Sequence, residues 1–219
     1  MKHILCYGDS NTWGLIPGTM QRYPEDVRWT QTLQRELGRD YRVLEDGISG
    51  RTTVFDHPKS PWLNGLKGLG YALMAHRPLD AVVLFLGSND VLYTDAEGSA
   101  DGVAQLVSAL VDADNFAHSK LPVFPNGVKV LLIGPPLSHP DIDKVYPGAK
   151  IALNAPEICK YEALYSRVAE TYGIDFLDSN PYTECSPVDC VHMTGESHVR
   201  LGEAIAQKLL QMFNEEAFQ

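Results

Sequence analysis

A chain of 219 residues with 44% apolar and 21% charged side chains has the make-up of a soluble globular protein and is long enough to bury a core without staples. Its net charge of −10, with no basic cluster, argues against a nucleic-acid partner, because phosphate backbones are met by a positive patch. No apolar run is long enough to span a bilayer, and MKHILCYGDS has neither the apolar length nor the small-residue cleavage site of a signal peptide, so no membrane role and a cytoplasmic location are expected.

Short apolar runs then alternate with amphipathic stretches. Strands are predicted at residues 3–8, 41–47, 79–87, 128–134 and 174–178. Several are continuously apolar and β-branched, as strands buried on both faces of a parallel sheet must be. Helices are predicted at 26–37, at 61–76, from about 99, at 156–172 and at 195–213. The alternation predicts an α/β fold: a single-domain three-layer sandwich over 1–219 around a five-stranded, parallel, flavodoxin-like sheet. In such sheets the chemistry gathers beyond the carboxyl ends of the strands. Two Pro-containing segments, 114–127 and 135–156, are too long for plain connections and are expected to form a lid or an interface. The four cysteines (Cys6, Cys159, Cys185, Cys190) are scattered, as reduced thiols in a cytosolic enzyme would be.

The strand ends carry the chemistry. The first strand runs into Gly8-Asp9-Ser10-Asn11, the second into Asp46-Gly47-Ile48-Ser49-Gly50-Arg51, and the third into Gly87-Ser88-Asn89-Asp90. After the fifth comes Asp189-Cys190-Val191-His192. In a parallel sheet all four converge on one rim. Acyl transfer needs a nucleophile, a base, a group that orients the base, and donors for the oxyanion. Ser10 can be the nucleophile, His192 its base, and Asp189, three residues earlier, the partner of the imidazole. The Ser10 N–H, the Gly50 N–H and the Asn89 amide can receive the oxyanion. No G-x-S-x-G elbow is present, so the α/β-hydrolase pattern is excluded.

Bland readings compete at each position. Ser10 and Asn89 could be cap or turn residues, and Gly50 could serve backbone freedom alone. Asp9 is read as an acceptor that stabilises the turn, and Asp90 as a supporting hydrogen-bond partner. Arg51 could hold the loop beside Gly50. The cluster Cys185, Cys190, His192 and His198 suggests zinc, but its spacing fits no common ligand pattern. A rival from another class is a binding module whose loop at residues 8–12 cradles a phosphate.

With these blocks in place the chain resembles the SGNH, or GDSL-type, esterases. GDSN at 8–11 is similar to their first block, Gly50 falls where their oxyanion glycine lies, GSND at 87–90 is similar to their third block, and Asp189-x-x-His192 to their last. GDSNTWG, PEDVRWT, EDGISGRTT and PLDAVVLFLGSND resemble the arylesterase/acyltransferase branch. That resemblance implies a small-molecule ester substrate, acyl transfer to alcohols in some members, no cofactor or metal, homo-oligomers, and Trp13 as a wall of the acyl pocket. Acetylated carbohydrate is the alternative substrate. The chain departs from the pattern at Asn11, where the family name has leucine, and at Cys190, where glycine is common. Asn11 is expected to leave the role of Ser10 unaffected, and Cys190 to alter the loop.

Overall fold

The computed structural model describes residues 1–116 and 122–214, with side chains for all of these but 115 and 116. Five strands form one sheet: β1 (Lys2–Gly8), β2 (Tyr41–Gly47), β3 (Ala81–Phe85), β4 (Val130–Gly134) and β5 (Asp175–Asp178). Their order is β2-β1-β3-β4-β5, and every neighbouring pair is parallel. The expected five-stranded, parallel, flavodoxin-like sheet is therefore observed. The strand order reverses direction at β1, and Gly8 pairs with Gly47 on one side and Phe85 on the other. The ends of the three strands thus lie side by side.

Alternation along the strands divides the core. Leu5, Tyr7, Val82, Leu84 and Leu132 face one way and pack on α3 (Gly65–His76), α4 (Ala96–Val111) and α8 (Tyr161–Tyr172). Ile4, Cys6, Val83, Phe85, Leu131 and Ile133 face the other way and pack on α2 (Trp29–Leu37) and α9 (Gly195–Asn214). β3 and β4 are buried at every residue, which is why their sequences are unbroken apolar runs. The edge strands β2 and β5 are only partly buried and carry charge.

The predicted helices are present with shifted starts. Arg28 precedes α2, so the first helix begins at Trp29 rather than at 26. Asn64 caps α3 through Lys67 N–H, splitting the predicted 61–76 helix into a 3-10 turn at Pro61–Leu63 and the α-helix. Asp95 caps α4 through Gly98 N–H, so that helix starts before 99. Pro156 sits in a 3-10 stretch, Ala155–Lys160, that leads into α8. Short helices complete the described residues: α1 (Ser10–Trp13), α5 (Ala113–Phe116), α6 (Ile142–Val145) and α7 (Lys150–Asn154). The 135–156 segment is thus structured: His139 N–H donates to the Cys190 carbonyl, and the Asn154 amide donates to the Val91 carbonyl at 2.7 Å. It joins the turn after β3 to the loop before α9. Of the 114–127 segment, residues 117–121 lie outside the described residues.

Candidate functional site

β1 stops where Asp9 turns the chain into α1. Asp9 is the cap of that helix, its Oδ1 accepting the Asn11 N–H at 2.9 Å, and Ser10 is the first helical residue. Capping therefore falls to Asp9, which leaves the Ser10 hydroxyl free for other work. The Asn11 N–H bonds the Asp9 side chain, and those of Thr12 and Trp13 bond the Asp9 carbonyl. A phosphate would find those three amides already occupied, which removes the support for a phosphate cradle. The Ser10 N–H stays available at the helix start.

The loop before α9 brings a histidine to this serine. His192 Nε2 lies 3.0 Å from Ser10 Oγ, and His192 Nδ1 lies 2.8 Å from Asp189 Oδ2. Asp189 also accepts the N–H of His192 at 3.1 Å and of Gly18 at 2.8 Å. Burial pushes its carboxyl up, but the His192 and Gly18 hydrogen bonds outweigh that and bring it down to about 2. Asp189 is then an anion at neutral pH and holds the Nδ1 proton. Nε2 is left as an acceptor for the serine hydroxyl. Gly18 reaches Asp189 with φ +71, and a Cβ there would come 2.5 Å from Val188 Cγ1. Both facts call for glycine.

Gly50 sits in a tight turn closed by Arg51 N–H to the Ile48 carbonyl, with φ +84. The bond that closes the turn uses the Arg51 N–H and not that of Gly50. Arg51 is buried beneath it. Its Nη1 donates to the Gly8 carbonyl at 3.0 Å, its Nη2 meets Asp46 Oδ1 at 2.7 Å, and its guanidinium stacks 4.0 Å from the centre of the Tyr7 ring. It locks the ends of β1 and β2 together. The Asn89 amide donates to the Arg51 carbonyl at 3.0 Å and to Asp9 Oδ2 at 3.4 Å. Asn89 thus ties the Gly50 turn to the Ser10 turn. Asp90 points inward, accepting from Thr53 N–H, Thr53 Oγ1 and Ser99 Oγ. Burial pushes the carboxyls of Asp9 and Asp90 each up to about 6.

Ser10, His192 and Asp189 form one hydrogen-bonded chain, while Gly50 and Asn89 are joined to it through Arg51 and Asp9. Trp13 is half-buried at the end of α1, where its ring lies 5.6 Å from the Arg22 guanidinium. The suggested zinc cluster has a different explanation. His192 is engaged as described, and His198 is fully buried with Nδ1 facing Trp29 N–H. No group of His, Cys, Asp and Glu among the described residues could hold a metal ion. The sequence reading did not single out Gly18 or Glu45. Glu45 pairs with Arg28 and Arg22 and accepts from Thr30 Oγ1, fixing the 14–30 loop against β2.

The GDSL-like lipase/acylhydrolase family model matches residues 6–201. The chain belongs to that family. Among solved structures, this GDSL-type chain is similar to the native aryl esterase of M. smegmatis, with a TM-score of 0.84 and 32% identity over 96% of this chain and 99% of that one. It is similar to the same degree to Est24, a carbohydrate acetylesterase from Sinorhizobium meliloti: TM-score 0.84, 31% identity, 97% of this chain and 100% of that one. A second carbohydrate acetylesterase family member from Sinorhizobium meliloti gives a TM-score of 0.87 at 29% identity, covering 98% and 100%. The comparison with curated proteins found no match. No described helix is long and apolar enough to cross a membrane.

Proposed function

We propose that the protein is a serine esterase that hydrolyses small carboxylic esters through an acyl-enzyme on Ser10. The observation that carries this reading is the continuous chain Ser10 Oγ, His192, Asp189, with separations of 3.0 and 2.8 Å. His192 takes the Ser10 proton as Oγ attacks the ester carbonyl. Ionised Asp189 holds the imidazole in the needed tautomer and stabilises the imidazolium that forms. The oxyanion meets the N–H groups of Ser10 and Gly50 and the Asn89 amide. Asn89 can release its long contact with Asp9 while its other proton stays on the Arg51 carbonyl. His192 then protonates the leaving alcohol and activates water for deacylation. No cofactor takes part in these steps.

Trp13 is proposed to wall the acyl side, and its contact with Arg22 would hold the ring in place. Transfer of the acyl group to an alcohol instead of water, and assembly into a homo-oligomer, belong to the same reading. The equal likeness to Est24 supports a second substrate class, acetylated carbohydrate.

Wild type and Ser10→Ala assayed side by side on p-nitrophenyl acetate, butyrate and octanoate, and on an acetylated sugar, test the proposal. Turnover that vanishes in a folded Ser10→Ala protein supports it, and the preferred substrate distinguishes the two classes. Added alcohol yielding a new ester would show acyl transfer. Normal turnover by Ser10→Ala would refute the mechanism.

A further inference from the structure

His192 must meet two partners at once. Asp189 belongs to its own loop, so that contact moves with the loop. Ser10 lies 182 positions away on α1, and the 3.0 Å approach of Nε2 to Oγ requires the whole 189–193 loop to be docked against α1. The backbone there is not relaxed, since Cys190 has φ 62.

A side chain of α1 bonds this loop, which the N–H groups of Gly18, His139 and Ser186 also hold from other segments. Asn11 Oδ1 accepts the Met193 N–H at 3.1 Å, and Asn11 Nδ2 donates to the Val191 carbonyl at 3.4 Å. A single primary amide thus grips the residues on both sides of His192. Asn11 is 2% exposed, and its own carbonyl accepts the Trp29 indole N–H at 3.2 Å, so the amide has a fixed base. A leucine, the residue of the family's name at this position, has similar bulk and could make neither bond. We propose that Asn11 is a positioning residue for His192: its amide clamps the 191–193 backbone to α1 and so delivers the imidazole to Ser10. The inference rests on His192 being the base, and it goes beyond the expectation that Asn11 leaves the role of Ser10 unaffected.

The test measures kcat and KM on p-nitrophenyl acetate for wild type, Asn11→Leu, Asn11→Asp and Asn11→Ser, with Ser10→Ala alongside. Folding is followed by circular dichroism, and hydrogen exchange is read at the Met193 amide. A displaced base lowers kcat roughly 10- to 100-fold in Asn11→Leu, with KM within about twofold, because misplacement by about an ångström costs on that order. Asn11→Asp keeps the acceptor for Met193 and should fall in between, and Met193 protection should drop in Asn11→Leu and Asn11→Ser. A folded Asn11→Leu with wild-type kcat would overturn the proposal. So would a raised KM at unchanged kcat, which would place Asn11 on the substrate. Failure of all three variants to fold would reduce the clamp to a folding contact and also overturn it. Normal turnover by Ser10→Ala would instead sink the reading beneath it.

Discussion

At the scale of single residues, the site depends on groups of opposite character placed a few ångströms apart. Asp189 is brought down to about 2, so it remains charged over the working range of the enzyme. The imidazole it holds must be unprotonated at Nε2 to accept the Ser10 proton. Asp189→Asn leaves the loop without its anion and favours the wrong tautomer, so kcat should fall about 10⁴-fold by analogy with other triads. Cys190 occupies a left-handed conformation that glycine adopts freely, yet its side chain is fully buried against Ile142 and Ala152. Cys190→Gly should therefore change thermal stability little, relief of strain offsetting lost packing. Cys190→Val, β-branched at positive φ, should lower it by roughly 1–3 kcal/mol. Thermal melts of the two variants check both expectations.

At the scale of elements, the central strands hold the rim in place. Leu84 on β3 is fully buried in the core between the sheet and the α3, α4 and α8 layer, so Leu84→Ala should cost about 2–5 kcal/mol in denaturant unfolding. The Arg28–Glu45 pair is nearly as sensitive. Arg28 bonds both Glu45 oxygens and the Tyr23 carbonyl, so Arg28→Ala leaves the carboxylate with Arg22 and Thr30 alone and should cost roughly 1–3 kcal/mol. It should also loosen the loop that carries Gly18 to Asp189, so the loss of activity should exceed that expected from stability alone. These elements differ in how readable they were. The five strands were legible because burial on both faces demands unbroken apolar runs such as AVVLF and VLLIG. The short helices α6 and α7 were not, since four or five residues are too few to show a 3.6-residue period. The polar blocks at strand ends could be read because each follows an apolar run. Gly18, Glu45 and the bonds of Asn11 could not, because their partners lie 171, 17 and 15, and about 180 positions away, and one sequence carries no sign of such pairings.

At the scale of the whole molecule, pH should act on stability in two opposing ways. Asp9 and Asp90 are raised to about 6 by burial, above the value near 4 of an unfolded chain. The folded state binds more protons between those limits, so their contribution is largest below about pH 4 and is lost as pH rises toward 6. Asp189 and Glu45 are lowered, so theirs is present above the unfolded value and lost as pH falls. Asp90→Asn removes one titration of the first kind. The melting temperature of wild type relative to this variant should fall from pH 4.5 to pH 7; a relative rise would contradict the burial argument.

The proposed chemistry rests on Ser10 as nucleophile and His192 as its base. A fluorophosphonate probe, followed by peptide mass analysis, tests that most directly. The prediction is one phosphonyl adduct, on the peptide bearing Ser10, forming far more slowly in His192→Ala and not at all in Ser10→Ala. Loss of esterase activity with the adduct on another serine, or equal labelling of Ser10→Ala, would contradict it.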